Sequence, residues 1–304
     1  MSESVSTASV SVSTAFARRV AAFAELGKAR ILALVLVVTA VGFALAAQQQ
    51  SGASVLALIH ALIGTALVAA GANALNQALE ATFDARMLRT QDRPVPSGRL
   101  TRREALAFGL TCGASGLLYL GLQTNALACL IAGVTLVSYV ALYTPLKRIS
   151  PMCVYVGAVP GALPPLIGWA AGSGTLSFQA LSLFVILYFW QLPHFAAIAW
   201  QYREDYARGG YPMLAVIDSD GWRTNLHVIT HTVGLLGASL LPVWVGLSGV
   251  AYGVAAMALG TAFLLCGIYF LTRKNPTTAR QTVLASVAYL PLLLGMLLLD
   301  RTLL

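Results

Sequence analysis

Asn76, Glu80 and Asp84 place three oxygen-bearing side chains four residues apart in the stretch NQALEATFD. If this stretch is helical, residues four apart are rotated by about 40° and raised by about 6 Å, so the three form one polar stripe. Two carboxylates on one stripe repel each other, and a divalent cation reverses that repulsion. Mg²⁺ takes oxygen ligands and typically combines one or two carboxylates with substrate phosphates. The spacing therefore favours a metal–phosphate site over the alternative, a purely structural hydrogen-bond network.

Three arginines follow the stripe at once. Arg86, Arg89 and Arg93 recur at intervals of three and four residues, so they share a face if the helix continues, and Pro94 predicts that helical geometry ends there. Guanidinium groups bind phosphate oxygens bidentately. Contact with lipid headgroups explains any one of these arginines as well, but the set beside carboxylates favours phosphate binding.

A second polar stripe is predicted in WQLPHFAAIAWQYREDYARGGYPML, residues 190–214. His194, Gln201 and Asp205 share one face if this otherwise apolar segment is a continuous helix. Gly209 and Gly210 then end the helix. Each stripe leads to an acidic helix end, so the chemistry predicts two helices that face each other and share a pair of cations.

The elements that must hold these residues are long apolar helices. Of the 304 residues, 58% are hydrophobic and 10% are charged, whereas about a quarter of the residues of a soluble domain are charged. A membrane span needs about 20 apolar residues. Four charge-free intervals each hold two such spans and a fifth holds one, which predicts an all-α polytopic membrane protein with nine transmembrane helices in one bundle. The predicted spans are 30–47, 53–79, 104–122, 125–143, 151–171, 177–200, 226–245, 250–271 and 281–299.

The basic residues predict the orientation of the bundle. Of the 19 lysines and arginines, 18 lie before the first span or in alternate loops, and only Arg301 lies on the other side. The positive-inside rule then places the N-terminus and an active-site cavity near Asp84 on the cytoplasmic side, with the C-terminus opposite. The net charge of +8 is explained by this topology and gives little reason to expect nucleic acid as a partner.

The first 27 residues differ in composition from the rest. They are rich in Ser and Ala and contain no apolar core of a signal peptide. We expect a disordered cytoplasmic tail over residues 1–27, ahead of a nine-helix membrane domain over residues 28–304. An organellar transit peptide is the alternative. The lack of a clear transit peptide favours a bacterial cytoplasmic membrane over a mitochondrial inner membrane.

These motifs resemble those of the intramembrane prenyltransferase superfamily. NQALEATFD is similar to its first signature, N-x-x-x-[DE]-x-x-x-D. The following M-x-R-T-x-x-R-P-x-P-x-G, the segment YTPLKR and the pair WQLPHF and REDYARGGYPML are similar to the later signatures of the branch that farnesylates haem. The similarity runs from about residue 25 to residue 299.

The resemblance implies a reaction and the residues that perform it. Farnesyl diphosphate would bind through Mg²⁺ and ionise, a vinyl group of haem b would capture the allylic cation, and water would complete haem O. Haem A synthase would be a downstream partner. The residues implied are metal and diphosphate ligands Asn76, Glu80, Asp84 and Asp205, diphosphate-binding Arg89, Arg93, Lys147 and Arg148, and the haem contact His194. Because Gln201 stands where the wider pattern has an aspartate, the resemblance leaves open one or two Mg²⁺ ions.

The sequence leaves alternatives open for the acceptor, for the class of protein and for the roles of four residues. A relative in the same superfamily with an aromatic, quinone-precursor acceptor shares the diphosphate site, and a transporter without turnover is a rival from another class. Membrane-surface anchoring explains Lys147 and Arg148 as well as diphosphate binding does. His227 and His231 are four residues apart and fit either a haem-ligand pair or packing.

Overall fold

The computed structural model describes residues 16–48 and 54–303 of the chain. Every regular element in these ranges is a helix, and nine helical segments there are long and apolar enough to cross a membrane, which confirms the predicted count. The helices are α1 (16–26), α2 (Ala29–Ala47), α3 (Val55–Asp84), α4 (Arg102–Gln123), α5 (Ala126–Val137), a π-helical segment (Ser138–Tyr143), α6 (Thr144–Leu146), α7 (Cys153–Ala162), α8 (Pro164–Ser173), α9 (Phe178–Gln201), α10 (Arg203–Arg208), α11 (Leu214–Ile217), α12 (Trp222–Ala238), α13 (Leu241–Trp244), α14 (Val250–Arg273) and α15 (Pro276–Leu303).

One buried apolar cluster joins the spans into a single bundle. Its members include Leu45 on α2, Trp169 on α8, Leu183 on α9, Phe263 on α14 and Leu293 on α15, all at most 2% exposed. Apolar residues on other faces of the spans are exposed, as expected for surfaces that contact lipid.

The expected disordered tail is wrong for residues 16–26, which form α1. Ala22 and Leu26 are buried with Ala74 and Ala78 of α3 in a small apolar cluster. This contact explains why the segment is ordered although its Ser- and Ala-rich surroundings carry no strong helix signal. The rest of the predicted tail, residues 1–15, lies outside the described residues.

Helix α3 is long enough to carry its polar end beyond the hydrocarbon. Its 30 residues correspond to about 45 Å, and the hydrocarbon core of a bilayer is about 30 Å thick. Ser54 caps its N-terminus by accepting a hydrogen bond from the backbone N–H of Ala57. Glu80 and Asp84 therefore lie in the last turn and a half, at the end of α3 opposite Ser54.

Small residues fix α3 against α4. A Cβ atom added to Gly71 would lie 2.6 Å from the backbone nitrogen of Gly113 and 2.7 Å from the carbonyl oxygen of Gly109. Helices in membranes approach closely where small residues meet in this way. The close crossing holds α3 in a fixed position and so orients the polar stripe at its end.

Candidate active site

The polar stripe predicted from the sequence is a buried face at the end of α3. Asn76, Glu80 and Asp84 expose 3%, 1% and 1% of their surfaces. Buried carboxylates require paired charges or hydrogen bonds because their desolvation is costly. The partners of these three side chains therefore define the site.

Lys147 is the partner of Glu80. Its Nζ donates a hydrogen bond to Glu80 Oε2 at 3.1 Å, and the two side chains are 13% and 2% exposed. Pro145, two residues before Lys147, has no backbone N–H. Residues Ser138–Tyr143, which precede this segment, form a π-helix, a form often found at functional sites. The same segment provides Thr144, whose Oγ1 accepts a hydrogen bond from Asn76 Nδ2 at 3.1 Å.

Arg93 is the partner of Asp84. Its Nη1 donates to Asp84 Oδ2 at 2.7 Å, and the Asp84 side chain is only 2% exposed. Thr90 Oγ1 also donates to the carbonyl oxygen of Asp84 at 2.9 Å. The chain after α3 thus folds back, and the guanidinium of Arg93 contacts the carboxylate of Asp84. The sequence predicted both groups as part of the site.

The structure adds Lys28, which the sequence indicated only as one of the basic residues before the first span. Its Nζ donates to Asn76 Oδ1 at 3.2 Å. Its backbone has φ of 52°, an uncommon value outside glycine, at the break between α1 and α2. Burial, and next the charge of Arg93, lower the pKa of Lys28 to about 7. In the sequence, the only indication that Lys28 lies at a break between helices is the Gly27-Lys28 pair between two apolar segments.

Arg148 lies beside this cluster and contacts α3. Its Nη2 donates to the carbonyl oxygen of Leu79, and its guanidinium carbon lies 4.4 Å from the ring centre of Phe83. Its Nε is buried and has no hydrogen-bond partner among the residues that the structure describes. Arg148 therefore has an unused donor next to the stripe.

Tyr211 is a second residue that the sequence did not single out. Its ring centre lies 4.5 Å from Lys147 Nζ and 5.4 Å from the ring centre of Phe83. Its hydroxyl is buried, and within residues 16–48 and 54–303 it has no hydrogen-bond partner. Burial, and next the charge of Glu80, raise the pKa of Tyr211, so its hydroxyl keeps its proton and remains a donor.

The cluster carries more positive than negative charge. Four basic side chains surround two carboxylates, a surplus of two positive charges when all are ionised: Lys28, Arg93, Lys147 and Arg148 with Glu80 and Asp84. Because an uncompensated buried charge is costly, such a surplus suits an anionic ligand.

The donor atoms of the stripe also fit a Mg²⁺ ion. Glu80 Oε1 is buried and has no hydrogen-bond partner in the described part of the chain, so one carboxylate oxygen has an unused acceptor position. Asp84 and the amide oxygen of Asn76 complete an all-oxygen donor set, the kind that Mg²⁺ prefers. Within the ranges described above, no three His, Cys, Asp or Glu side chains form a group that could hold a metal ion by themselves.

Asp205 lies elsewhere, and the predicted continuous stripe from His194 to Asp205 is wrong. Helix α9 ends at Gln201, because the backbone of Tyr202 (φ −113°, ψ 26°) leaves the helical region before α10 begins. Asp205 Oδ1 accepts a hydrogen bond from Leu88 N at 2.8 Å and Oδ2 accepts one from Arg89 N at 3.1 Å. The role of Asp205 as a Mg²⁺ ligand therefore stays a prediction.

Helix α3 ends at Asp84 and does not continue to Pro94, so the condition under which the three arginines would share a helical face is not met. Arg89 is exposed, and its guanidinium carbon lies 5.1 Å from the ring centre of Tyr202. The role of Arg89 in diphosphate binding stays a prediction.

The histidines lie away from the end of α3. His194 stacks on Trp190 at 5.1 Å, and its Nδ1 lies 2.6 Å from Ser286 Oγ on α15. The rings of His227 and His231 are 4.0 Å apart, and His227 Nδ1 lies 3.2 Å from the Tyr155 hydroxyl. A haem contact by His194 stays a prediction.

Comparisons with known proteins agree on one family. The sequence pattern of the UbiA prenyltransferase family matches residues 35–292. A protein named Protoheme IX farnesyltransferase from Solibacter usitatus is 43% identical over 286 residues, which covers 92% of this chain and 98% of that protein.

Solved structures agree on the fold. The chain is similar to a structure described for digeranylgeranylglyceryl phosphate synthase, with a TM-score of 0.78 and 17% identity over 94% of this chain and 99% of that one. It is also similar to a UbiA homolog from Archaeoglobus fulgidus bound to DMAPP and Mg²⁺, with a TM-score of 0.62 and 14% identity over 93% and 99%.

Proposed function

The chain belongs to the UbiA prenyltransferase family, and from this membership we propose that it is a membrane-embedded farnesyltransferase acting on haem b. It transfers the farnesyl group of farnesyl diphosphate to a vinyl group of haem b, and with one water this gives haem O and diphosphate. The acceptor follows from the near-full-length relative named Protoheme IX farnesyltransferase. The alternative aromatic acceptor has no such support.

The observation that carries the prenyl-transfer chemistry is the buried surplus of positive charge at the end of α3. When the bond between C1 of the farnesyl group and the diphosphate oxygen breaks, its electron pair remains on that oxygen. Lys28, Arg93 and Lys147 supply preorganised positive charge for this leaving group in a site of low dielectric, where such charge is most effective. Tyr211 offers an unpaired hydroxyl donor beside them.

Glu80 and Asp84, with the amide oxygen of Asn76, would hold Mg²⁺ in this site. When bound, Mg²⁺ supplies Lewis-acid stabilisation of the leaving diphosphate. The salt bridges from Lys147 and Arg93 orient both carboxylates before the substrate arrives. Asp205 as a ligand of a second ion remains a separate prediction, which a Mg²⁺ titration of an Asp205→Asn variant tests.

The apolar bundle shields the allylic cation until the vinyl group attacks it. The buried cluster that joins α2, α8, α9, α14 and α15 consists mainly of aliphatic and aromatic side chains, which offer few polar atoms to water and would keep water away from the cation. The vinyl π electrons form the new carbon–carbon bond, and the resulting cation beside the porphyrin then takes up water and releases a proton. The product is the hydroxyethylfarnesyl side chain of haem O.

The nine spans and the positions of the basic residues indicate where in the cell the reaction takes place. The chain is a multi-pass membrane protein. We place it in a bacterial cytoplasmic membrane. Because 18 of the 19 basic residues lie on one side of the predicted topology, we place the N-terminus and the site on the cytoplasmic side and the C-terminus opposite. Its product would be the substrate of a haem A synthase.

The test is an acceptor competition in membranes that contain the chain, supplied with farnesyl diphosphate, Mg²⁺, haem b and a hydroxybenzoate. We expect haem O by mass spectrometry and no prenylated hydroxybenzoate. Prenylation of the hydroxybenzoate with haem unchanged would contradict the assignment. Asp84→Asn keeps the shape of the side chain and should lose turnover with the fold intact, although its melting temperature should fall because the salt bridge with Arg93 is lost. Full activity in that variant would remove the metal site from the mechanism.

A further inference from the structure

A basic groove lies beside the prenyl diphosphate site, at the junction of α9 and α10. Its volume is about 570 Å³, within the range of roughly 300–1,000 Å³ for small-molecule and cofactor pockets. It is bounded by the loop after α3, by residues 200–208 and by the turn between α14 and α15. Its charged side chains are Arg89, Arg203, Arg208 and Lys274 with Glu204 and Asp205.

The acidic side chains leave a surplus of two positive charges in this groove. The Asp205 carboxylate is already bound by Arg208 Nη2 at 2.6 Å and by the backbone N–H groups of Leu88 and Arg89. It is 4% exposed and therefore helps to form the floor of the groove. A ligand that neutralises the groove therefore carries two negative charges.

Two guanidinium groups of the groove rest on aromatic rings and have no carboxylate partner. The guanidinium carbon of Arg203 lies 4.6 Å from the ring centre of Trp200, and that of Arg89 lies 5.1 Å from that of Tyr202. Among the residues that the structure describes, no carboxylate oxygen lies within 4.0 Å of either group. Both retain donors for carboxylate or phosphate oxygens.

The backbone conformation of Lys274 places this residue at the same groove. It ends α14 with φ of 46°, a left-handed conformation that few residues other than glycine adopt. Its Nζ donates to the carbonyl oxygen of Asp220 at 3.0 Å, which leaves two of its three donors unused. The ammonium group is therefore available to an oxygen ligand.

We infer that this groove binds the two propionate carboxylates of the haem acceptor. The inference rests on the proposed function, since it takes haem b as the substrate. Two carboxylates match the surplus of two charges, and the half-buried Tyr202 adds apolar surface beside the charged groups for the porphyrin edge. Propionates and vinyl groups occupy opposite edges of haem, so this anchor leaves the vinyl edge free for the prenyl site. Asp205 accepts hydrogen bonds from the loop that follows Asp84, and this contact keeps the groove next to the prenyl diphosphate site.

The test compares haem b with its dimethyl ester, which lacks the two negative charges. Wild type and an Arg203→Gln/Lys274→Gln variant are titrated with each compound by absorbance, in nanodiscs of phosphatidylcholine. We expect the Kd of the variant for haem b to rise at least tenfold, because two charged donors are lost and a single charge-assisted hydrogen bond already accounts for about that factor. The dimethyl ester should bind wild type and variant equally weakly, and the KM for farnesyl diphosphate should not change. Arg280→Gln removes an exposed positive charge outside the groove and should bind haem b as wild type does.

The remaining outcomes each overturn one statement. Equal binding of haem b and its ester by wild type would overturn the propionate assignment. If a lipid phosphate occupied the groove instead, replacing phosphatidylcholine with phosphatidylglycerol would weaken haem binding to wild type but not to the variant, and the variant would still prefer haem b to the ester. Wild type that binds haem b tightly and selectively, yet forms no farnesylated product, would contradict the proposed function and leave the groove assignment in place.

Discussion

Asp205 binds the backbone of Leu88 across 117 positions of sequence, with 2.8 Å between Asp205 Oδ1 and Leu88 N. The second oxygen of the same carboxylate accepts a hydrogen bond from the next N–H, that of Arg89, at 3.1 Å. The loop after α3 has no regular structure to satisfy these donors, so a carboxylate from α10 satisfies them. This contact fixes the loop that carries Arg93 to Asp84.

Asp205→Asn should therefore act mainly through the loop. An amide offers one acceptor oxygen where the carboxylate offers two, so at least one of these N–H groups loses its partner, at a cost of about 0.5–1.5 kcal/mol. We expect a lower melting temperature and faster protease cleavage between residues 85 and 100. If Asp205 instead acts only as a Mg²⁺ ligand, the melting temperature without Mg²⁺ will stay unchanged and only the Mg²⁺ dependence of turnover will shift.

The same carboxylate predicts a pH dependence of stability. Burial alone would raise the pKa of Asp205, but hydrogen bonds from Arg208, Arg89 and Leu88 outweigh burial and lower it. A carboxyl group with a lowered pKa in the folded protein stabilises the fold above its ordinary pKa, and this contribution is lost as the pH falls through the lowered value. The melting temperatures of wild type and Asp205→Asn should therefore differ at pH 7 and converge as the pH falls below about 4. A constant difference down to pH 3 would contradict this account.

The sequence predicted what depends on local spacing. Charge-free intervals located the nine spans, because a helix must cover the hydrocarbon with apolar residues wherever it packs. The interval of four residues placed Asn76, Glu80 and Asp84 on one face, because α3 is regular up to Asp84.

The sequence did not predict what depends on breaks in helices and on contacts between distant segments. The non-helical backbone of Tyr202 separates Asp205 from the stripe of α9, and no Gly or Pro marks that position. Lys28 reaches Asn76 only because the chain turns at Lys28 itself, through a positive φ that a lysine rarely adopts.

Arg93→Ala tests the diphosphate site directly. Arg93 is one of the cations closest to the buried Asp84 carboxylate, and its loss removes a charge-assisted contact worth about 1.5–3 kcal/mol. We expect the KM for farnesyl diphosphate to rise at least tenfold, with the Kd for haem b unchanged. Arg99→Ala is the matched control, because Arg99 pairs with Glu25 at 2.7 Å on the exposed side of the same loop. Equal loss of both substrates in Arg93→Ala would mean that the arginine is structural.

Gly71→Ala tests the crossing of α3 and α4. The added methyl group would lie 2.6 Å and 2.7 Å from backbone atoms of Gly113 and Gly109, which cannot rotate away. We expect a loss of about 1–3 kcal/mol, seen as a lower melting temperature, and reduced turnover because α3 carries the polar stripe. Gly237→Ala on α12 is the control, since a Cβ there meets nothing within 4 Å. Unchanged stability in Gly71→Ala would show that α4 can move away freely.

Lys28→Met should raise the stability of the ligand-free protein and weaken the binding of farnesyl diphosphate. Methionine keeps most of the length of the side chain and the same backbone strain, but removes the ammonium group near Asn76. Burial lowers the pKa of Lys28 to about 7, so the ligand-free protein holds this cation at a cost, and the variant should melt at a higher temperature than wild type. The same variant should lose affinity for farnesyl diphosphate about tenfold or more, because the cation stabilises the bound anion. Lys28→Arg keeps the charge and should restore much of that affinity. A Lys28→Met protein that melts lower and binds farnesyl diphosphate as wild type does would show that Lys28 only supports Asn76.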